Sequence, residues 1–193
     1  MVPRAQVTIN SLTEERARLE RFARSLTLEE LARHVPGTGW TVNDFIAHVA
    51  TLDAAYLGWF KALAGEPVPG EHRGSRGFDV DRFNEAAVTA RRGQSIAEIL
   101  DEGRTLRARL VAAIEQFTDA DLDTTIRFGG DRKRPPVDLP LAQFLAGWVR
   151  HDAIHVADML KALPERRSEP EIVAWLSRPE VAGPINAYQK AMG

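Results

Sequence analysis

A hydroxyl residue followed three positions later by an acid recurs along this chain, and no other feature constrains its fold as strongly. Ser11 and Glu14, Thr27 and Glu30, Thr41 and Asp44, Ser95 and Glu98, and Ser168 and Glu171 all show the pattern. In each pair the hydroxyl can accept a hydrogen bond from an orphan amide of a first helical turn, and the acid can return one to the cap. Behind Ser11, Leu12, Leu19, Phe22 and Leu26 fall near a 3.6-residue period, with Glu14, Glu15, Arg18 and Arg21 on the opposite face. Trp40 before Thr41 and Phe45 after it make a hydrophobic staple, so a helix is predicted from Val42 to about Ala64. Ile96, Ile99, Leu100, Leu106, Leu110 and Ile114 carry another from Ser95 to about Phe117. Pro140 suits a first turn capped by Asp138, which predicts a helix from Leu139 to about Leu163.

The intervening segments are shorter. Gly65 to Gly77 reads as a solvated loop, Asp79 to Arg92 as a short polar helix, and Asp119 to Leu139 as a short extended segment or hairpin. Ile172, Val173, Trp175 and Leu176 suggest one more short helix, with Trp175 in the core, and Pro179 to Gly193 a mixed tail over the bundle mouth or a dimer interface. Long strand patterns are absent, so the expected fold class is all-α: a four-helix bundle with extra short helices and a C-terminal tail, one domain over residues 1–193.

Composition narrows the function classes. A chain of 193 residues, 44% hydrophobic and 27% charged, has enough apolar surface for a core of its own. It contains no cysteine, which removes disulfide scaffolds, thiol nucleophiles and Cys-based metal sites. Lys and Arg number 25 against 27 Asp and Glu, a balance that argues against a nucleic-acid partner. The N-terminus has no apolar core of a secretory signal, and no apolar run approaches the roughly 20 residues of a bilayer span, so a cytoplasmic location is expected.

Most catalytic signatures are also missing, including a nucleophile elbow, His-Glu-x-x-His, a Walker loop and Gly-x-Gly-x-x-Gly. Asp119-x-Asp121-x-Asp123 begins like a calcium loop, but Thr124 and Gly130 occupy the positions that need glycine and glutamate, so it reads as a helix-capping acidic turn. Arg91-Arg92, Arg132-Lys-Arg134 and Arg166-Arg167 read as solvated surface.

Five histidines remain: His34, His48, His72, His151 and His155. His151 and His155 sit four apart on a predicted helix, on the stripe of Leu141, Phe144, Leu145, Trp148 and Met159. Such a pair projects from one face and can reach a common divalent ion, although the same spacing also serves two hydrogen-bonded core histidines. His48, beside Phe45, Val49 and Leu52 on another predicted helix, is the best third ligand. Three imidazoles without thiolate or carboxylate would leave a coordination position open for water or substrate. His34 and His72 read as exposed. Asp44 and Asp158 are candidate acceptors or acid/base groups beside the histidines, with a helix cap and a solvated acid as their plainer readings.

Trp40-Thr-Val-Asn-Asp-Phe-Ile-Ala-His48, followed by Trp148-Val-Arg-His151-Asp-Ala-Ile-His155, resembles the DinB-like metalloprotein superfamily, which includes the N-terminal domains of mycothiol-dependent maleylpyruvate isomerases. Phe83-Asn84 and Arg91-Arg92-Gly93-Gln94-Ser95 strengthen the likeness, especially to the isomerase-like and ClbS/DfsB-like branches. The resemblance implies a bundle, often a homodimer, with a divalent metal held by His48, His151 and His155. The isomerase branch has glutamate at the middle position, where this chain has His151. Imidazole ligation suits zinc or nickel better than magnesium or calcium. The implied activity is transfer of a low-molecular-weight thiol to a small electrophile, as an S-transferase or thiol-dependent isomerase. The alternatives are a metal-hydroxide hydrolase or ring-opening resistance protein of the ClbS type, and a non-catalytic, metal-stabilised dimeric stress protein.

Overall fold

The computed structural model describes residues 1–63, 65–68, 78–128 and 136–192. Its helices are α1 (Pro3–Ser25), α2 (Leu28–Ala32), α3 (Val42–Thr51), α4 (Asp53–Leu63), α5 (Val80–Thr89), α6 (Ile96–Ile114), α7 (Asp119–Asp123), α8 (Leu141–Val149), α9 (His151–Met159), α10 (Pro170–Leu176) and α11 (Pro179–Met192). A small antiparallel ribbon of β1 (Thr125–Phe128) and β2 (Val137–Pro140) pairs Ile126 with Leu139, and a 3-10 turn spans Pro164–Ser168.

Four rods make the bundle: α1, α3 with α4, α6, and α8 with α9. The rod α1 lies against α6 on one side and α8 and α9 on the other, while α3 packs on both α6 and α9. The four therefore enclose a common interior. That interior holds two apolar clusters. One gathers Phe22, Phe45, Ile46, Ile99, Leu100, Val156, Met159 and Trp175. The other gathers Leu12, Tyr56, Trp59, Leu110, Ile114, Leu145 and Trp148. Burying each large side chain in such a core contributes about 1.5–3 kcal/mol relative to leaving it in water.

Local signals explain five of the helix starts. Thr27, Thr41 and Ser95 close complete capping boxes with Glu30, Asp44 and Glu98. The acidic run at Asp119 is a cap as well, with Thr118 and Asp121 forming a fourth box. The Trp40 and Phe45 rings meet edge to face at 5.2 Å, as the staple requires. Asp79 caps the polar helix α5. At the end of α4, Gly65 takes φ +76°, and the Glu66 and Gly65 amides donate to the Lys61 and Ala62 carbonyls, a Schellman closure that favours glycine.

Other boundaries differ from expectation. Ser11 lies inside α1, which starts at Pro3 because Ala5, Ile9 and Leu12 extend its buried stripe upstream. Ser168 caps nothing; it ends the 3-10 turn, and α10 follows Glu169. Asp138 does not cap α8, because the ribbon places it in β2 opposite Arg127, whose Nη1 lies 3.3 Å away. The two long rods predicted as continuous helices are interrupted at Leu52 and at Arg150. The expected mixed tail is the helix α11, in which Val181 and Ile185 are buried at helical spacing and Tyr188, three residues on, is half-buried against His155, despite Pro184. Trp175 is buried, as expected. Among the described residues, no helix is long and apolar enough to cross a membrane.

Candidate metal centre

The capping box at Thr41 starts α3 two turns before His48, and His48 points inward and is only 4% exposed. On the opposite rod, α9 opens with His151 and carries His155 one turn later. Each of the three rings offers a nitrogen, and these lie within 4.8 Å of one another. The Nε2 atoms of His151 and His155 are 3.1 Å apart. The His48 ring centroid stands 5.5 Å from that of His151 and 5.1 Å from that of His155.

The donor set suits a cation. Two imidazole nitrogens bound at about 2.0–2.1 Å to one tetrahedral ion lie roughly 3.3 Å apart, close to the separation seen for His151 and His155. Neutral imidazoles in a buried setting need a proton or an ion between their facing lone pairs, and a third nitrogen converging on the same point favours the ion. Asp158, also buried, places Oδ2 3.3 Å from His155 Nδ1, near enough for charge though off the hydrogen-bond line, and accepts from Lys161 Nζ at 2.7 Å. Burial opposes ionisation of this carboxyl, but His155 and Lys161 outweigh it and hold Asp158 below the ordinary carboxylate range. A carboxylate behind a ligating imidazole fixes its orientation and raises its basicity.

Aromatic rings wall the cluster. Trp148 lies over His151 at 4.3 Å, Trp40 beside His48 at 5.2 Å and Phe45 beside His155 at 5.7 Å. Tyr188 of α11 approaches His155 edge-on at 6.0 Å. The tail reaches this point because buried Glu15 on α1 accepts from Trp175 Nε1 at 2.7 Å and pairs with Arg178.

The remaining candidates separate. Asp44 spends its carboxylate on the capping box and on Arg92, 3.4 Å away, which makes it a structural cap. His34 is exposed, on a bridge to Thr41. His72, residues 69–77 of the expected 65–77 loop and Arg132-Lys-Arg134 lie outside the described residues. Arg91 engages Glu102, Arg92 engages Glu85, and Arg166 engages Glu30 and Glu169, so these arginines tie the surface together. Sequence reasoning placed Tyr188 in a tail over the bundle mouth or a dimer interface but missed its approach to His155, because Gly183 and Pro184 break up the helical pattern of that segment. It also missed Arg16, which lies on the apolar stripe of Leu12 and Leu19, a placement that marks a charge as buried.

Solved structures share this fold. The crystal structure of a mycothiol-dependent maleylpyruvate isomerase aligns over 82% of this chain with a TM-score of 0.60 and 18% identity. The chain spans only 61% of that isomerase's length. The sibling lethal factor precursor DfsB aligns over 88% of this chain and 100% of its own, with a TM-score of 0.66 and 17% identity. The colibactin self-resistance protein ClbS, described in complex with a dsDNA, aligns over 84% of this chain and 98% of its own, with a TM-score of 0.60 and 14% identity. Because that neighbour is described with DNA, the expectation that nucleic acid is no partner gains no support from these folds. No curated protein matches the sequence significantly. The sequence pattern of the DinB superfamily, however, matches residues 11–159, which take in all three clustered histidines, and the chain belongs to that superfamily.

Proposed function

We propose that His48, His151 and His155 hold one divalent ion, zinc or nickel, and that the protein uses it to transfer a low-molecular-weight thiol to a small electrophile. The observation that carries the reading is the convergence of three imidazole nitrogens from two facing rods within 4.8 Å, with no carboxylate or thiolate among them. An ion so held supplies Lewis acidity, which favours the thiolate form of a bound thiol. The rest falls to the chain: Asp158 sets a negative charge beside His155, while Trp40, Trp148 and Tyr188 limit the access of water. The description of one structural neighbour as mycothiol-dependent supports a thiol co-substrate, and a cytoplasmic setting would keep such thiols reduced.

A second reading, hydrolytic or ring-opening chemistry of the ClbS type, is favoured by coverage. The chain spans 100% of DfsB and 98% of ClbS.

Metal content tests the first step. Protein purified without a histidine tag is expected to carry about one zinc or nickel per chain by plasma mass spectrometry, and His48→Ala and His151→Ala/His155→Ala are expected to lose it. No metal after reconstitution and dialysis would overturn the reading and leave a non-catalytic bundle, as a monomer or homodimer. If cobalt-substituted protein binds metal but shows no spectral response to glutathione, mycothiol, bacillithiol or coenzyme A, the thiol proposal falls and the second reading stands.

A further inference from the structure

Between its two apolar clusters the bundle buries four charges, one from each rod. Arg16 on α1, Asp53 on α4, Arg107 on α6 and Asp152 on α9 are 4%, 0%, 6% and 1% exposed. Arg107 donates from Nε and Nη2 to the Asp53 carboxylate at 2.6 and 3.3 Å, and from Nη1 to the Leu12 carbonyl at 2.8 Å. Trp148 Nε1 adds a bond to Asp53 Oδ1 at 3.2 Å. Arg16 divides its fork three ways. Its Nε donates to Asp152 Oδ2 at 3.0 Å, its Nη1 to the Ala50 carbonyl at 2.8 Å and its Nη2 to the Val49 carbonyl at 3.1 Å.

Stability alone is a poor account of this layer. Taking four charges out of water is costly, and well-packed apolar residues of similar volume often hold a core together as well or better. The partners of Arg16 suggest another role. Val49 and Ala50 directly follow His48, and Asp152 directly follows His151. Trp148, held by Asp53, is the ring that covers His151 at 4.3 Å. The neighbouring rod leaves room for this arrangement only through Gly103, where a Cβ would stand 2.8 Å from the Ala50 carbonyl oxygen and 3.2 Å from Arg16 Nη1.

We propose that Arg16 is a positioning residue for the histidine cluster. By bridging the last turn of α3 and the first turn of α9, it sets the separation between His48 and the His151/His155 pair. The proposal rests on the reading of the cluster as a metal site. A lysine could not substitute, because one ammonium cannot span a carboxylate and two carbonyls in the planar geometry of a guanidinium.

The test uses zinc and cobalt alone, on full-length protein. Arg16→Met/Asp152→Leu removes one charge of each sign and leaves the Arg107 and Asp53 pair intact; Arg16→Lys keeps the charge and removes the fork. Zinc affinity is measured by competition with a chromophoric chelator, cobalt-bound protein by its visible absorption, and the fold by far-ultraviolet circular dichroism. Both variants are expected to stay helical, to bind zinc on the order of 10- to 100-fold more weakly and to show altered cobalt bands. Should the double variant fail to fold, Arg16→Lys decides alone. Wild-type affinity and unchanged cobalt bands in a folded variant would overturn the proposal. So would an equal loss of affinity in Leu110→Ala, which weakens the other apolar cluster without touching the fork. If wild-type protein itself binds neither ion, it is the metal reading that has failed.

Discussion

Glu30 serves two partners with one carboxylate. It accepts from the Thr27 amide at 2.8 Å and from the Thr27 hydroxyl at 3.0 Å, and it receives Arg166 Nε at 2.6 Å and Nη2 at 2.8 Å. The Arg166 bonds, reinforced by Thr27 and opposed by burial, pull its pKa down from 4.5 to about 2. The folded-state value therefore lies below the unfolded one, so the stabilisation is fully present above pH 4.5 and is lost as pH falls toward 2. Glu30→Gln is expected to cost about 1.5–3 kcal/mol at neutral pH and to lessen the loss of stability across that acid window. Urea midpoints at several pH values check this; parallel curves for the two proteins would show that Glu30 contributes nothing to the acid response. Asp44 and Asp158 show how far a single acid can be read from sequence. Both lie within a turn of a candidate ligand and both fit an acceptor or acid/base role, yet Asp44 is the cap that its plainer reading expects and Asp158, expected as a solvated acid, is buried facing His155. The capping motif is local and visible; the direction of Asp158 depends on how α9 meets the rest of the bundle.

Among the elements, local chemistry and long-range packing divide the helix boundaries between them. Thr41→Ala removes the cap of the helix that carries His48 and is expected to lower stability by about 0.5–2 kcal/mol. Ser11→Ala, in the middle of α1, is expected to be neutral or slightly stabilising, since alanine is the better helix former there. Thermal or urea unfolding of the two variants distinguishes a true cap from the same sequence pattern inside a helix; equal losses would sink the distinction. A capping box announces that a helix can begin, and it carries no information on whether the chain upstream is already helical, which is why Ser11 misleads and Thr27, Thr41 and Ser95 do not. The breaks at Leu52 and Arg150 left no local mark, because neither residue is proline or glycine. Each is followed within two residues by a buried aspartate, Asp53 or Asp152, whose arginine partners lie far away in sequence. The bundle class, the rods and the three clustered histidines were legible from periodicity and spacing. The interruptions, the tail helix and the buried charges were not, because tertiary contacts create them.

At the scale of the molecule, the histidine cluster lies where α3 and α9 face each other across the bundle, with the buried ion layer behind it and α11 across its edge. Anything that binds His48 together with His151 and His155 therefore links two rods that separate on unfolding. An ion that binds the folded chain and not the unfolded one stabilises it by mass action, by about 2.7 kcal/mol at a free concentration of one hundred dissociation constants. For a chain of 193 residues this corresponds to a rise of roughly 5–10 °C in the unfolding midpoint. Zinc added to metal-free protein is expected to give that rise, and a chelator to reverse it. His48→Ala is expected to melt at a midpoint that zinc no longer moves, because the two imidazoles left both belong to α9 and no longer bridge the rods. Calcium at the same concentration is expected to leave both proteins unchanged, since imidazole nitrogens are poor donors for it. A zinc-independent midpoint in the wild-type protein would mean that the three rings are held together by the packing of Trp40, Phe45 and Trp148 alone.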